Sequence, residues 1–216
     1  MSAPDDILSA LGLDPLIADP KFVREGSTGN LSSPFGTRAV LAGPGLVRSL
    51  FLILERERAG SWPGVLKIGG QAWGRKFAAD LDARLAAMGK PMLTGLPLEA
   101  CLVFIENHFA VHGLGRLKFD LAHASEHGVV VAHLEHSFFG AVLPENGLSA
   151  DPMLAGLLQG FFDHVSGQSL DCAEIACVRR GAGRCTFVVT DPERLAAVAP
   201  SIGSETAEAI IARLCT

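Results

Sequence analysis

At 216 residues, 49% hydrophobic and only 19% charged, the chain holds enough apolar material for one large domain. The surplus suits a buried cavity or an oligomer interface. A net charge of −5 with no basic stripe argues against nucleic-acid binding, and no apolar run reaches the roughly 18 residues of a membrane span.

Residues 1–36 read as an N-terminal arm and residues 37–216 as the domain. In the arm, Ile7, Leu8, Leu11 and Leu13 fit a short amphipathic helix. Pro15, Pro20 and Pro34, with Gly26 and Gly29, then break any regular pattern. Such an arm covers a pocket, covers a neighbouring subunit, or stays disordered; the sequence leaves all three open. Pro44 early and Gly60 late bracket a first helix through Leu46–Leu54. A longer helix is expected from about Gly64 to Met88, because Val65, Ile68, Ala72, Trp73, Phe77, Leu81 and Leu85 recur at helical spacing. Gly69, Gly70 and Gly74 lie inside it, each costing about 1 kcal/mol against alanine. They point to the close approach of another backbone or of a flat ligand.

Pro97 starts a third helix reaching about His112, with Cys101, Phe104, Ile105, His108 and His112 on one face. The His108/His112 pair, four apart, fits either packing or metal ligation. The period then changes to two. Leu117, Phe119 and Leu121 alternate with polar residues, and after a turn at Glu126–Gly128 comes a second strand at Val129–Leu134. Met153 to Val165 carries an apolar stripe, and Gly156 and Gly160 smooth one side of that helix. Strands near 169–178 and 184–190 and a helix start at Asp191-Pro-Glu193 complete the order. Helices first and hairpins late give an α+β fold with an antiparallel sheet packed against helices.

The densest chemistry lies in Asp171-Cys-Ala-Glu-Ile-Ala-Cys-Val-Arg-Arg-Gly-Ala-Gly-Arg-Cys-Thr-Phe187. The Gly181-Ala-Gly183 turn folds the two arms together and brings Cys177 near Cys185. Glu174, Cys177 and Cys185 then fit three zinc ligands, buried free thiols beside a strand carboxylate, or a disulfide. Five cysteines, an odd number, and a start from Met1 to Asp6 without a basic stretch disfavour the disulfide and predict a cytoplasmic protein.

Glu174-x-x-Cys177 and Cys185-Thr-Phe187 after the Gly156/Gly160 helix, with the Lys67–Gly74 segment, resemble the 4-vinyl-reductase (4VR) domain family over about residues 40–190. That family spans a protein linked to bacteriochlorophyll 4-vinyl reduction, sensor domains that respond to phenols, and stand-alone hydrocarbon-binding proteins. It is related in fold to heme nitric-oxide sensor domains and TRAPP-type tethering subunits. The resemblance implies a domain that is often dimeric, with a small apolar cavity. In aromatic-sensing members it also implies a structural zinc held by three cysteines and a glutamate. Glu174, Cys177 and Cys185 match three of these ligands, and the fourth position here is Asp151, with Cys172 as the other candidate. Leu134 stands where the phenol sensors have a tryptophan wall, so phenol specificity is not carried over.

The expected pocket is lined by Trp73, Phe77, Phe104, His108, Leu157 and Phe161 from helices and by Phe119, Leu121 and Leu134 from strands, with His108, His133 or His136 as the polar group. No Gly-x-Ser-x-Gly elbow or phosphate-binding glycine loop accompanies it. The expected function is a cytoplasmic, homodimeric carrier or sensor of a hydrophobic or aromatic small molecule. A (bacterio)chlorophyll-pathway enzyme or accessory factor, acting on a tetrapyrrole, and a ligand-free interaction scaffold are the alternatives.

Overall fold

The structure, a computed structural model, describes residues 4–17, 21–33, 38–58, 60–143 and 151–216. Pro20 and Pro34, read above as breakers, lie outside them. Helix α1 (Pro4–Leu11) is followed by three two-residue strands, β1 (Val23–Arg24), β2 (Leu31–Ser32) and β3 (Arg38–Ala39), which form an antiparallel meander. Three longer helices follow: α2 (Pro44–Glu57), α3 (Trp62–Ala87) and α4 (Leu98–Val111). Next come β4 (Arg116–Asp120), a one-turn helix α5 (Ala124–His127), β5 (Val130–Glu135), a short α6 (Phe138–Val142) and α7 (Pro152–Ser166). The hairpin β6 (Asp171–Ala176) and β7 (Cys185–Thr190) leads to α8 (Pro192–Val198) and α9 (Ala207–Leu214). This is the expected α+β architecture.

The second sheet is antiparallel with order β4-β5-β7-β6, so the two hairpins join through β5 and β7. Because side chains alternate along a strand, the sheet builds two cores. On one face, Leu117, Ala132, Leu134, Phe187 and Val189 pack toward α7 and α3. On the other, Val131, Ile175 and Val188 meet Leu195, Val198, Ile210 and Leu214 of α8 and α9. Every residue of β7 is buried, as a central strand covered on both faces should be. Asp191 caps α8, its carboxylate accepting from the amides of Glu193 and Arg194.

Helices α3 and α7 meet backbone to backbone. A methyl at Gly70 would run into the Met153 carbonyl oxygen, one at Gly74 into that of Leu157, one at Gly156 into that of Lys67, and one at Gly160 into that of Gln71. Four glycines, two on each helix four residues apart, thus form a reciprocal seam. The close approach predicted for Gly70 and Gly74 is to another helix, whereas Gly69 faces open space.

The arm is held to the domain at several points. Leu8, Leu13 and Leu16 are buried in the main core, and Lys90 Nζ donates to the Leu11 carbonyl oxygen at 2.6 Å.

Candidate functional site

On the side away from the glycine seam, α3 meets α4 through rings. Trp73 and Phe77, one helical turn apart, project from α3 toward His108 and His112, one turn apart on α4. The His108 ring lies 4.0 Å from that of Phe77 and 5.4 Å from that of Trp73. The His112 ring is 4.1 Å from His108, and its Nδ1–H donates to the His108 carbonyl oxygen at 2.9 Å. These rings wall a cavity of about 350 Å³ whose rim carries Lys76, Asp80 and Arg84. The volume falls at the lower end of small-molecule sites.

His108 gives this cavity its chemistry. Its side chain is 3% exposed, and neither ring nitrogen has a hydrogen-bond partner among the described residues. Burial, then the neighbouring His112, holds its pKa well below the usual imidazole range, so the ring is neutral. A neutral imidazole offers one donor and one acceptor. Leaving both unused in an apolar setting costs on the order of 1–3 kcal/mol per group. A ligand hydroxyl or carbonyl at this point removes part of that cost.

The same burial predicts a pH effect. The unfolded chain takes up a proton on this imidazole near pH 6.5, whereas the folded state resists it, so stability falls as pH drops below about 6.5. The slope is bounded at about 1.4 kcal/mol per pH unit per proton. Urea unfolding at pH 7 and pH 5 should show a clearly smaller acid loss in His108→Phe than in wild type. An unchanged loss would mean that His108 ionises freely in the fold.

A second, larger cavity of about 1020 Å³ opens beside the first, with Trp73 and His112 lining both. Its walls are mainly apolar, from Leu50, Phe51 and Leu54 of α2, Leu66 of α3, and Phe138 and Phe139. The arm contributes Phe22 and Ser33 to the lining.

The Cys/Glu cluster lies at the other end of the molecule's main core. β6 carries Glu174, Cys177 follows it, and Cys185 opens β7. Between them Gly181 takes φ 88°, a left-handed turn that glycine adopts without a Cβ penalty. The amides of Arg180 and Ala182 donate to the Cys177 carbonyl oxygen at 2.9 and 3.2 Å, closing the loop. One ligating atom each from Glu174, Cys177 and Cys185 lies within 4.8 Å of the others. The two sulfurs are 4.0 Å apart, well beyond the length of a disulfide bond.

Asp151, which precedes α7, closes the cluster. Its backbone amide donates to Glu174 Oε2 at 3.3 Å, and its Oδ1 accepts from Ser137 Oγ at 2.7 Å. Burial first, then the Glu174 charge, pushes the Asp151 carboxyl up to about 7. Cys177, burial, and the charges of Asp151 and Glu174 push the Cys185 thiol up as well. Two carboxylates and two thiols buried together repel when ionised, and a dication reverses that balance. Asp151 Oδ2 is buried without a hydrogen-bond partner among the described residues. In donor chemistry and in this spare oxygen, the four residues fit zinc. Cys172, the other candidate, is buried on β6 but outside the set of three.

Of the residues expected at the pocket, Trp73, Phe77 and His108 converge on the smaller cavity. Phe161 stacks behind Phe77 with centroids 5.8 Å apart. Phe104, Leu134 and Leu157 are buried in the core, and Phe119 packs edge-on against Phe162. None of these four lines either cavity. Two residues with a clear place here were not singled out for it from the sequence. His112 shares both cavities, and its signal was the four-residue spacing from His108. Ser137 orients Asp151, and no sequence pattern marks that pairing.

Residues 130–191, from β5 through the hairpin, match the family model of the vinyl-4-reductase (4VR) domain. The resemblance to the 4VR family holds. The matched segment contains Asp151, Glu174, Cys177 and Cys185 but none of the ring residues of α3 and α4. No curated protein matches the chain. Among solved structures, the phenol-responsive sensory domain of the transcription activator PoxR, crystallised with phenol, superposes with a TM-score of 0.64 at 17% identity, covering 95% of this chain and 100% of that one. A vinyl-4-reductase family protein from Methanocaldococcus jannaschii superposes with a TM-score of 0.46 at 17% identity, covering 88% and 96%. The α+β fold is thus similar to that of the PoxR sensor domain. No helix among the described residues is long and apolar enough to cross a membrane.

Proposed function

We propose that this protein binds a small aromatic or otherwise apolar molecule bearing one hydrogen-bonding group in the cavity between α3 and α4, and acts as a sensor or carrier in the cytoplasm. The observation that carries this reading is His108, a neutral buried imidazole with two unpartnered ring nitrogens on the wall of a ring-lined cavity. Trp73 and Phe77 supply flat apolar surface for stacking. His108 selects ligands that carry a donor or acceptor. The 4VR match and the fold shared with a phenol-responsive domain support the same class of ligand.

In this reading Glu174, Cys177, Cys185 and Asp151 hold a structural zinc, which fixes the β6–β7 hairpin to the start of α7. The glycine seam then ties α7 rigidly to α3, the helix that carries Trp73 and Phe77.

Calorimetric titration with phenol tests the binding reading. Wild type should bind with measurable heat. His108→Phe should bind roughly tenfold more weakly, the loss of one hydrogen bond worth about 1.4 kcal/mol. No heat with wild type, or equal affinity in both proteins, would contradict the assignment of His108.

The homodimer belongs, in this reading, on the outer face of α2. Leu46, Leu50 and Ile53 share that face and are 56%, 52% and 49% exposed, beside Val40 and Leu41 at 86% and 78%. Apolar side chains so exposed and contiguous mark an interaction surface. Sedimentation velocity should show wild type as a dimer and Leu50→Glu as a monomer. A monomeric wild type would contradict this placement.

A further inference from the structure

On the side of the sheet covered by α8 and α9, two imidazoles and a thiol converge. His123 and His127 stand four residues apart across α5, one helical turn, so both rings leave the same face. The His127 amide donates to the His123 carbonyl oxygen at 3.1 Å, and Gly128, at φ 63°, ends the turn. Cys215 follows α9 directly, its amide donating to the Ile211 carbonyl oxygen at 3.1 Å. Two separate elements, one between β4 and β5 and one at the end of the last helix, therefore present these side chains to a common point.

One ring nitrogen of each histidine and the Cys215 sulfur all lie within 4.8 Å of one another. A single ion at about 2.0–2.3 Å from each can bridge such a spread after small side-chain rotations. All three residues are half-buried, sheltered enough to exclude bulk water yet open to exchange. Among the described residues, no hydrogen bond engages these ring nitrogens or this thiol. Glu126 adds a carboxylate, its Oε2 at 3.8 Å from His127 Nε2. Arg194 donates to the His127 carbonyl oxygen and so pins the turn from α8.

We propose that His123, His127 and Cys215, with Glu126 or water as the fourth ligand, bind a divalent ion of the zinc class that clamps the last helix to the β4–β5 turn. Imidazole with thiolate selects zinc and its neighbours over magnesium and calcium, which prefer all-oxygen shells. On binding, the thiol proton leaves to solvent as the sulfur becomes a ligand. This site shares no residue with the Glu174 cluster.

The test strips the full chain with chelator and titrates it with Co²⁺. Wild type should take up roughly one ion per chain more than Cys215→Ser or His127→Ala. Part of its near-ultraviolet thiolate-to-cobalt absorption should vanish in Cys215→Ser. The Glu174 cluster contributes equally to all three proteins, so the difference isolates the new site. Equal uptake by all three would overturn the proposal. Should a variant fail to fold, histidine ring ¹⁵N spectra of wild type with and without Zn²⁺ decide the matter. His123 and His127 shifting together supports the site, and two unmoved rings overturn it.

Discussion

Replacing Gly74 by alanine should destabilise the protein by about 3 kcal/mol or more, whereas Gly69→Ala, five residues earlier on the same helix, should stabilise it by roughly 0.5–1 kcal/mol. The two changes are chemically identical and differ only in what the added methyl meets. At Gly74 it meets the Leu157 carbonyl oxygen and carbon and the Phe161 amide nitrogen, all backbone atoms that no rotamer change can move. Relief requires α3 and α7 to separate, which opens the main core along its longest contact and forfeits dispersion contacts on both sides. At Gly69 nothing lies within 4 Å, so the methyl only removes the conformational freedom of an interior helix glycine. Gly160→Ala should behave like Gly74→Ala because it strikes the same seam from the α7 side. Urea denaturation of the variants measures the differences directly. A mild effect at Gly74 would mean that the helices do not touch through their backbones.

Zinc removal is the second large effect. As-purified protein should contain roughly one zinc per chain at the Glu174 cluster, and chelation should cost several kcal/mol of stability, because metal binding at such a site is folding free energy. The physical reason is the donor set. Without a cation, burial and the Glu174 charge raise the Asp151 carboxyl to about 7, so the fold must either protonate it or bear two buried negative charges. With a dication the same carboxylates and thiolates become mutually compatible. Cys185→Ser should lose the metal and the stability together, while Cys101→Ser, far along α4, should lose neither. Metal analysis beside thermal unfolding checks this, and a chelated sample that melts with the untreated protein would contradict it.

The glycines were legible in the sequence because their cost is local and known. Gly70, Gly74, Gly156 and Gly160 inside helical patterns signal an unusual neighbour, although nothing in the periodicity distinguishes Gly70 from the solvent-facing Gly69. The β6–β7 hairpin was legible too, since Gly181 and Gly183 sit between β-prone arms. Its pairing to β5 was not, because alternation fixes the faces of a strand but not its lateral neighbour. The pocket was only partly legible. Trp73, Phe77 and His108 share helix faces with Leu81 and Phe104, and a ring on an apolar face reads the same whether it walls a cavity or fills a core. What separates them is the distance between α3 and α4, a tertiary quantity. The strands β1 to β3 went unread because two residues each give no period. The partner of Asp151, Ser137, lies fourteen residues away with no local pattern to join them.

Native mass spectrometry of freshly purified protein tests the central claim most directly. The account predicts wild-type chains carrying an added mass of small-molecule size. That mass should be lost on gentle activation, replaceable by added phenol, and depleted in His108→Phe. Wild-type chains that carry no such mass and gain none with phenol, while still folded, would contradict it and leave the α3–α4 rings as packing alone.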